Sequence, residues 1–77
     1  MITVKLYAYL REPHGKEVHL DHETGMTVRD IAEKLDIPLK RVSIIICDGK
    51  DGTPEKMLDH EVKADSLVHF FPPVAGG

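Results

Sequence analysis

Apolar and polar positions alternate at the start of the chain. Ile2, Val4, Leu6, Ala8 and Leu10 fall on one side and Thr3, Lys5, Tyr7 and Tyr9 on the other, the period of two that a half-buried strand requires. Pro13 and Gly15 supply turn chemistry, after which Val18 and Leu20 alternate with Glu17, His19 and Asp21. These residues predict a second, shorter strand that pairs with the first as an antiparallel hairpin. Past Glu23-Thr24-Gly25 the period changes. Val28, Ile31, Ala32 and Leu35 stand at i, i+3, i+4 and i+7, one stripe of an amphipathic helix. Thr27 is the expected N-cap, with Asp30 three residues on as a shorter relative of the capping-box glutamate and Met26 stapled onto Ile31. Pro38 disfavours helical geometry at Ile37, so the helix is predicted to stop near Asp36 after about ten residues.

Val42 to Cys47 is β-branched and apolar on both sides, the pattern of a strand covered on one side and shielded on the other. Asp48-Gly49 and the run from Asp51 to Pro54 stop it with turn residues, and a short edge strand is expected at Lys56-Met57-Leu58. Ser66 to Phe71 is the last strand, with Val68 and Phe70 on one side and Leu67, His69 and Phe71 on the other. One side faces the core, so one of the two phenylalanines is left outside it; Phe71 is that residue if Val68 and Phe70 point inward. Strand, strand, helix, strand, short strand, strand describes an α+β domain. Its expected form is a β-grasp, or ubiquitin-like, fold: a mixed sheet of four to five strands with one main helix across one face and the first and last strands side by side in parallel. Residues 1–71 form this domain, and residues 72–77 form a tail.

The tail is Pro72-Pro73-Val74-Ala75-Gly76-Gly77. Two prolines favour extended geometry and carry the chain away from the last strand without folding back. Two glycines then strip the terminal carboxylate of neighbouring side chains, which suits passage through a narrow slot. Six extended residues reach at most roughly 20 Å, enough to enter another protein's active site. An exposed Phe71 at the foot of the tail is the expected partner-binding anchor.

Composition narrows the function classes. With 77 residues the chain holds one domain near the lower size for folding without metals or disulfides. A single cysteine, Cys47, leaves no intrachain disulfide, and with no secretory signal at the N-terminus the expected location is the cytoplasm. A net charge of −3 with scattered Lys and Arg gives no footprint for nucleic acid, and no apolar run approaches a membrane span. On net charge alone, a charge-steered partner is expected to be basic.

Side-chain chemistry is sparse. His14, His19, His22, His60 and His69 lack the close spacings of zinc sites and are expected to be solvated, and no metal site is predicted. Cys47 closes an apolar strand with no neighbouring base, which predicts a packed thiol rather than a nucleophile. Turn formation accounts for Asp48 and Asp51. No phosphate-binding glycine pattern is present, and no side-chain catalytic residue is expected.

The closing Phe70-Phe71-Pro72-Pro73-Val74-Ala75-Gly76-Gly77, together with Leu10-Arg11-Glu12, Thr27-Val28-Arg29-Asp30-Ile31 and Asp65 before the last strand, resembles the MoaD/ThiS family of ubiquitin-like sulfur carriers, and within it the branch that forms the small subunit of molybdopterin synthase. The resemblance implies a carrier rather than an enzyme. An activating adenylyltransferase related to ubiquitin-activating enzymes uses ATP to adenylate Gly77, and a sulfur donor displaces AMP to leave a C-terminal thiocarboxylate. Phe71 docks on the partner while Pro72, Pro73, Val74, Ala75 and Gly76 insert into the large subunit of molybdopterin synthase, where sulfur is delivered in molybdenum-cofactor biosynthesis. No cofactor is bound by the carrier itself. Related carriers serve thiazole formation for thiamine, tRNA thiolation or attachment to protein lysines. The Pro-Pro-Val-Ala segment favours the molybdopterin branch over the thiamine one, and the absence of arginine in the tail argues against a eukaryotic-type modifier. The alternative outside this class is a plain β-grasp binding module.

Overall fold

The computed structural model describes residues 1–12 and 14–73. Strand β1 (Ile2–Leu6) pairs antiparallel with β2 (Glu17–Leu20), Val4 opposite Val18. The alternation that reaches Leu10 is strand only as far as Leu6. Ala8 takes φ 54°, and Ala8–Arg11 is a short 3-10 helix. Leu10 is nevertheless buried, because the tight turn brings it back to the side that an extended chain would also have given it. The carbonyl of Leu6, at the strand's end, accepts a 3.2 Å hydrogen bond from Nε of Arg11.

Helix α1 (Val28–Lys34) starts on a complete capping box: the Asp30 N–H donates to Thr27 Oγ1 and the Thr27 N–H donates to Asp30 Oδ2 at 2.9 Å. Asp30 closes the box with one methylene fewer than glutamate. The helix is shorter than expected because it stops on a Schellman turn. Asp36 enters the left-handed region at φ 54°, its N–H reaches the Glu33 carbonyl, and the Ile37 N–H reaches Ala32 at 2.9 Å. Aspartate here fills the place glycine usually takes.

The expected strand over Val42–Cys47 begins later, since Leu39–Arg41 is a 3-10 helix that Val42 caps; β3 is Ile44–Cys47. A two-residue turn at Asp48-Gly49, with φ 52° and 86°, leads into the edge strand β4 (Lys50–Gly52). Positive φ at both positions is the geometry that matches the twist of a hairpin. The edge strand therefore lies before the predicted Lys56-Met57-Leu58. That segment instead belongs to helix α2 (Pro54–Met57) and its cap, started by Pro54 and held by Met57 in the core. Proline at the first helical position explains the difference, as its fixed φ suits a helix start and it has no N–H to give a strand.

Strand β5 (Leu67–Phe71) lies between β1 and β3, giving the order β2-β1-β5-β3-β4. It is parallel to β1 and antiparallel to β3, so the two terminal strands pair as connectivity predicted and the fold is a ubiquitin-like β-grasp. One side of the sheet presents Ile2, Val4, Leu6, Ile45, Cys47, Val68 and Phe70 to Val28, Ile31, Ala32 and Leu35 of α1 in a single core. No helix among the described residues is long and apolar enough to cross a membrane.

Candidate functional site

The opposite side of the sheet carries the site. Because β1 and β5 are parallel, with Lys5 opposite His69 and Leu6 opposite Phe70, Tyr7 comes level with Phe71. Their rings stack at 4.3 Å between centroids with planes 12° apart, and His69 stacks with both at 5.9 Å. Ile44, opposite Phe71, and Ile46, opposite His69, extend this platform on β3. The result is an apolar and aromatic surface at the end of the sheet from which the chain leaves β5.

Phe71 is on this side, as the inward orientation of Val68 and Phe70 requires, but it is half-buried rather than free. Stacked aromatic pairs gain stability beyond their area, so Phe71 is held in place by Tyr7 and His69. Tyr7 and His69 are the functional candidates that sequence reasoning passed over. The signal was there: Tyr7 follows Lys5 on the polar side of β1, and parallel pairing places that side next to Leu67, His69 and Phe71.

The Tyr7 hydroxyl lies 2.9 Å from His69 Nδ1. Burial, helped by the nearby Lys5 charge, holds the His69 pKa below its ordinary value. In the neutral imidazole protonated at Nε2, Tyr7 donates to Nδ1 and the Nε2–H remains available to an incoming acceptor.

The ladder gives way to the tail for a simple reason. The Ser43 N–H donates to the Phe71 carbonyl at 2.8 Å, and the next two residues, Pro72 and Pro73, have no N–H with which to continue it. Pro72 is half-buried and Pro73 exposed. The tail residues Val74, Ala75, Gly76 and Gly77, on which insertion and the proposed chemistry fall, lie outside the described residues.

The remaining reactive groups are tied into structure. Cys47 is fully buried and its thiol pKa is raised to about 11 by burial and then by Asp48, so it stays protonated at neutral pH. Asp48 does more than turn the chain. Its Oδ2 accepts from Ser66 Oγ at 2.5 Å and its Oδ1 from the Leu67 N–H at 3.0 Å, while Cys47 Sγ lies 3.7 Å away. Desolvation pushes the Asp48 pKa up, yet the hydrogen bonds from Ser66, Leu67 and Cys47, with Lys63 nearby, outweigh it and leave the carboxyl below its ordinary value. This knot joins the hairpin turn to the start of β5.

The histidines are less solvated than expected. His14, His22, His60 and His69 are half-buried and only His19 is exposed. His14 Nε2 meets the Leu35 carbonyl at 2.7 Å and His22 Nε2 the Val62 carbonyl at 3.0 Å, so these imidazoles serve as struts between segments that lack a regular ladder. Among the described residues, no group of three or more His, Cys, Asp or Glu side chains is placed to hold a metal ion.

Comparison with known proteins agrees with this fold. The model of the ThiS family matches residues 4–77. The structure is similar to that of a protein described as a candidate molybdopterin converting factor, subunit 1, from Pyrococcus furiosus, at 24% identity and TM-score 0.71 over 95% of this chain and 97% of that one. It is also similar to SAMP1 from Haloferax volcanii, at 24% identity and TM-score 0.72 over 99% of this chain and 98% of the other. No curated protein sequence matches the chain.

Proposed function

The chain belongs to the ThiS family, and from that premise we propose that it is a cytoplasmic sulfur carrier that serves as the small subunit of molybdopterin synthase. Gly77 is the reacting residue. A carboxylate is a poor electrophile until one oxygen becomes a leaving group, so an adenylyltransferase first joins the Gly77 carboxylate to the α-phosphorus of ATP and releases pyrophosphate. A sulfur donor then attacks the acyl carbon and AMP departs, leaving a thiocarboxylate. In the large synthase subunit this thioacid sulfur attacks the pterin precursor and displaces an oxygen leaving group. Water then hydrolyses the resulting thioester, leaving the sulfur on the precursor and returning the carrier with its carboxylate.

The observation that carries this reading is the family match, which runs through Gly76 and Gly77. The fold supplies a reason for each other part. Pro72 and Pro73 cannot rejoin the sheet, and a stiff tail loses less entropy on entering a channel than a flexible one. Tyr7, His69 and Phe71 form a prepacked docking surface beside its root, while the partners supply ATP chemistry and catalysis. The resemblance to a molybdopterin converting factor subunit supports the choice of branch over thiamine thiazole formation or tRNA thiolation.

Incubation with the adenylyltransferase, ATP and a sulfur source is expected to replace one oxygen of Gly77 by sulfur, read by intact-mass and C-terminal peptide mass spectrometry. An unchanged mass under conditions that charge a control carrier defeats the carrier reading. Co-purification with a large synthase subunit tests the branch, and a ladder of Gly77–lysine conjugates on denaturing blots would favour a protein modifier instead.

A further inference from the structure

At the end of the sheet from which the tail departs, but on the β1–β2 side of the aromatic platform, lies a cleft of about 230 Å³ lined by Lys5, Leu6, Tyr7, Arg11, Lys16 and Glu17. Leu6 fixes the backbone of one of its cations and the side chain of another. The Leu6 N–H donates to the Lys16 carbonyl at 2.9 Å and the Leu6 carbonyl accepts from Arg11 Nε at 3.2 Å, while Lys5 precedes Leu6 on β1. Arg11 spends only Nε in this arrangement, and among the described residues neither Lys5 nor Lys16 has a carboxylate within ion-pair distance. The one acidic lining residue, Glu17, is turned to His19 at 2.7 Å. Three cations against one carboxylate leave the cleft at +2 in a chain whose net charge is −3, so the local sign is opposite to the one net charge suggested.

We propose that this cleft docks an acidic segment of the activating adenylyltransferase, with at least two closely spaced Asp or Glu side chains set beside the slot through which that enzyme reaches Gly77. The proposal rests on the carrier reading. A guanidinium and two ammonium groups around a shallow, open site suit paired carboxylates. Exposed ion pairs of this kind add little to affinity, but they steer encounter and fix orientation. A carrier that must be charged by one enzyme and released to another is served by fast, reversible docking of that sort, with the platform reading shape and the cleft reading charge.

The test follows pyrophosphate release by the adenylyltransferase as a function of carrier concentration, at ionic strengths from about 0.05 to about 0.5 M. Lys16→Glu, and the double variant Lys5→Gln/Lys16→Glu, are expected to lower kcat/KM by about ten-fold at the lowest salt, through KM, with the gap closing as salt rises. Lys16→Arg restores the charge and is expected to recover the rate. Equal kcat/KM and equal salt slopes for wild type and the double variant overturn the proposal. A wild-type chain that is not adenylated at all defeats the carrier reading instead. The cleft is then judged by amide shifts of the full chain on addition of hexaglutamate. Shifts centred on Lys5 to Tyr7, Arg11 and Lys16 that disappear in the double variant uphold an acidic docking partner. No shifts, or equal shifts from inorganic phosphate, overturn it.

Discussion

Phe70 and Phe71 are adjacent, chemically identical and in the same strand, yet they belong to the two sides of the sheet and to two different tasks. Phe70 is fully buried among the residues beneath α1. Phe71 is half-buried on the other side, stacked on Tyr7. One side of β5 is spent on making the domain stable and the other on presenting a surface, and the pleat lets one strand do both. The contrast predicts unlike responses to the same substitution. Phe70→Ala opens a cavity in the core and should cost about 3–5 kcal/mol. In a domain of this size that lowers the thermal midpoint by roughly 12 °C or more, measured by scanning calorimetry or circular dichroism. A loss as small as that of an exposed residue would break the assignment of Phe70 to the core.

Phe71→Ala removes a stacking partner and should cost only about 1 kcal/mol of stability. Its larger effect is expected in association with the partner. Loss of an aromatic anchor at an interface is worth about 2 kcal/mol, or roughly 30-fold in Kd, measurable by calorimetry against the adenylyltransferase or the large subunit. Equal affinity for wild type and variant would remove the platform from the proposed docking surface while leaving the proposed role of Gly77 untouched.

The two sides also differed in how well the sequence disclosed them. Burial repeats with a period, so Ile2, Val4 and Leu6 and the Val28–Leu35 stripe could be placed from the pattern alone, while in the last strand the pattern set Val68 and Phe70 against Leu67, His69 and Phe71 without saying which set faces the core. The helix start could be placed too, because Thr27 and Asp30 act through local hydrogen bonds. What escaped was set by contacts distant in sequence or by backbone turns that side-chain alternation does not report. Tyr7 and His69 are 62 residues apart and meet only because β1 and β5 are parallel. Ala8 at φ 54° ends a strand whose alternation continues on paper, and the edge strand settled on Lys50–Gly52, a polar segment carried there by the Asp48-Gly49 turn rather than by its own propensity. Asp48 was legible as a turn residue but not as the acceptor of Ser66 and Leu67, since neither partner is local.

That knot allows a smaller test on the stabilising side of the comparison. Ser66→Ala leaves the Lys63 N–H without its 2.7 Å acceptor and Asp48 without one donor. The expected cost is about 1–3 kcal/mol, seen as a lower denaturant midpoint with an unchanged slope. A change within about 0.5 kcal/mol, the range of ordinary surface substitutions, would show that the knot is incidental.

The smallest expected effect lies on the presenting side and is separated by pH. The folded-state pKa of His69 is depressed below its ordinary 6.5 by burial and by Lys5, so folding favours the neutral ring. Its contribution to stability is full above pH 6.5 and is lost as pH falls through the lowered folded value. Asp48 is also depressed, but its contribution disappears only as pH falls below the ordinary carboxyl value of 3.8, so the two windows do not coincide. The groups around His69 act in one direction: Lys5 repels a cation, Tyr7 in the Nε2-protonated neutral tautomer donates to the lone pair that protonation would occupy, and Phe71 and Ile46 offer no countercharge. Between about pH 7.5 and about pH 5.5 the thermal midpoint of the wild type should therefore fall more than that of His69→Gln. Parallel pH profiles for the two proteins would mean that the imidazole titrates as freely as a solvated one, and that the platform is packed by Tyr7 and Phe71 alone.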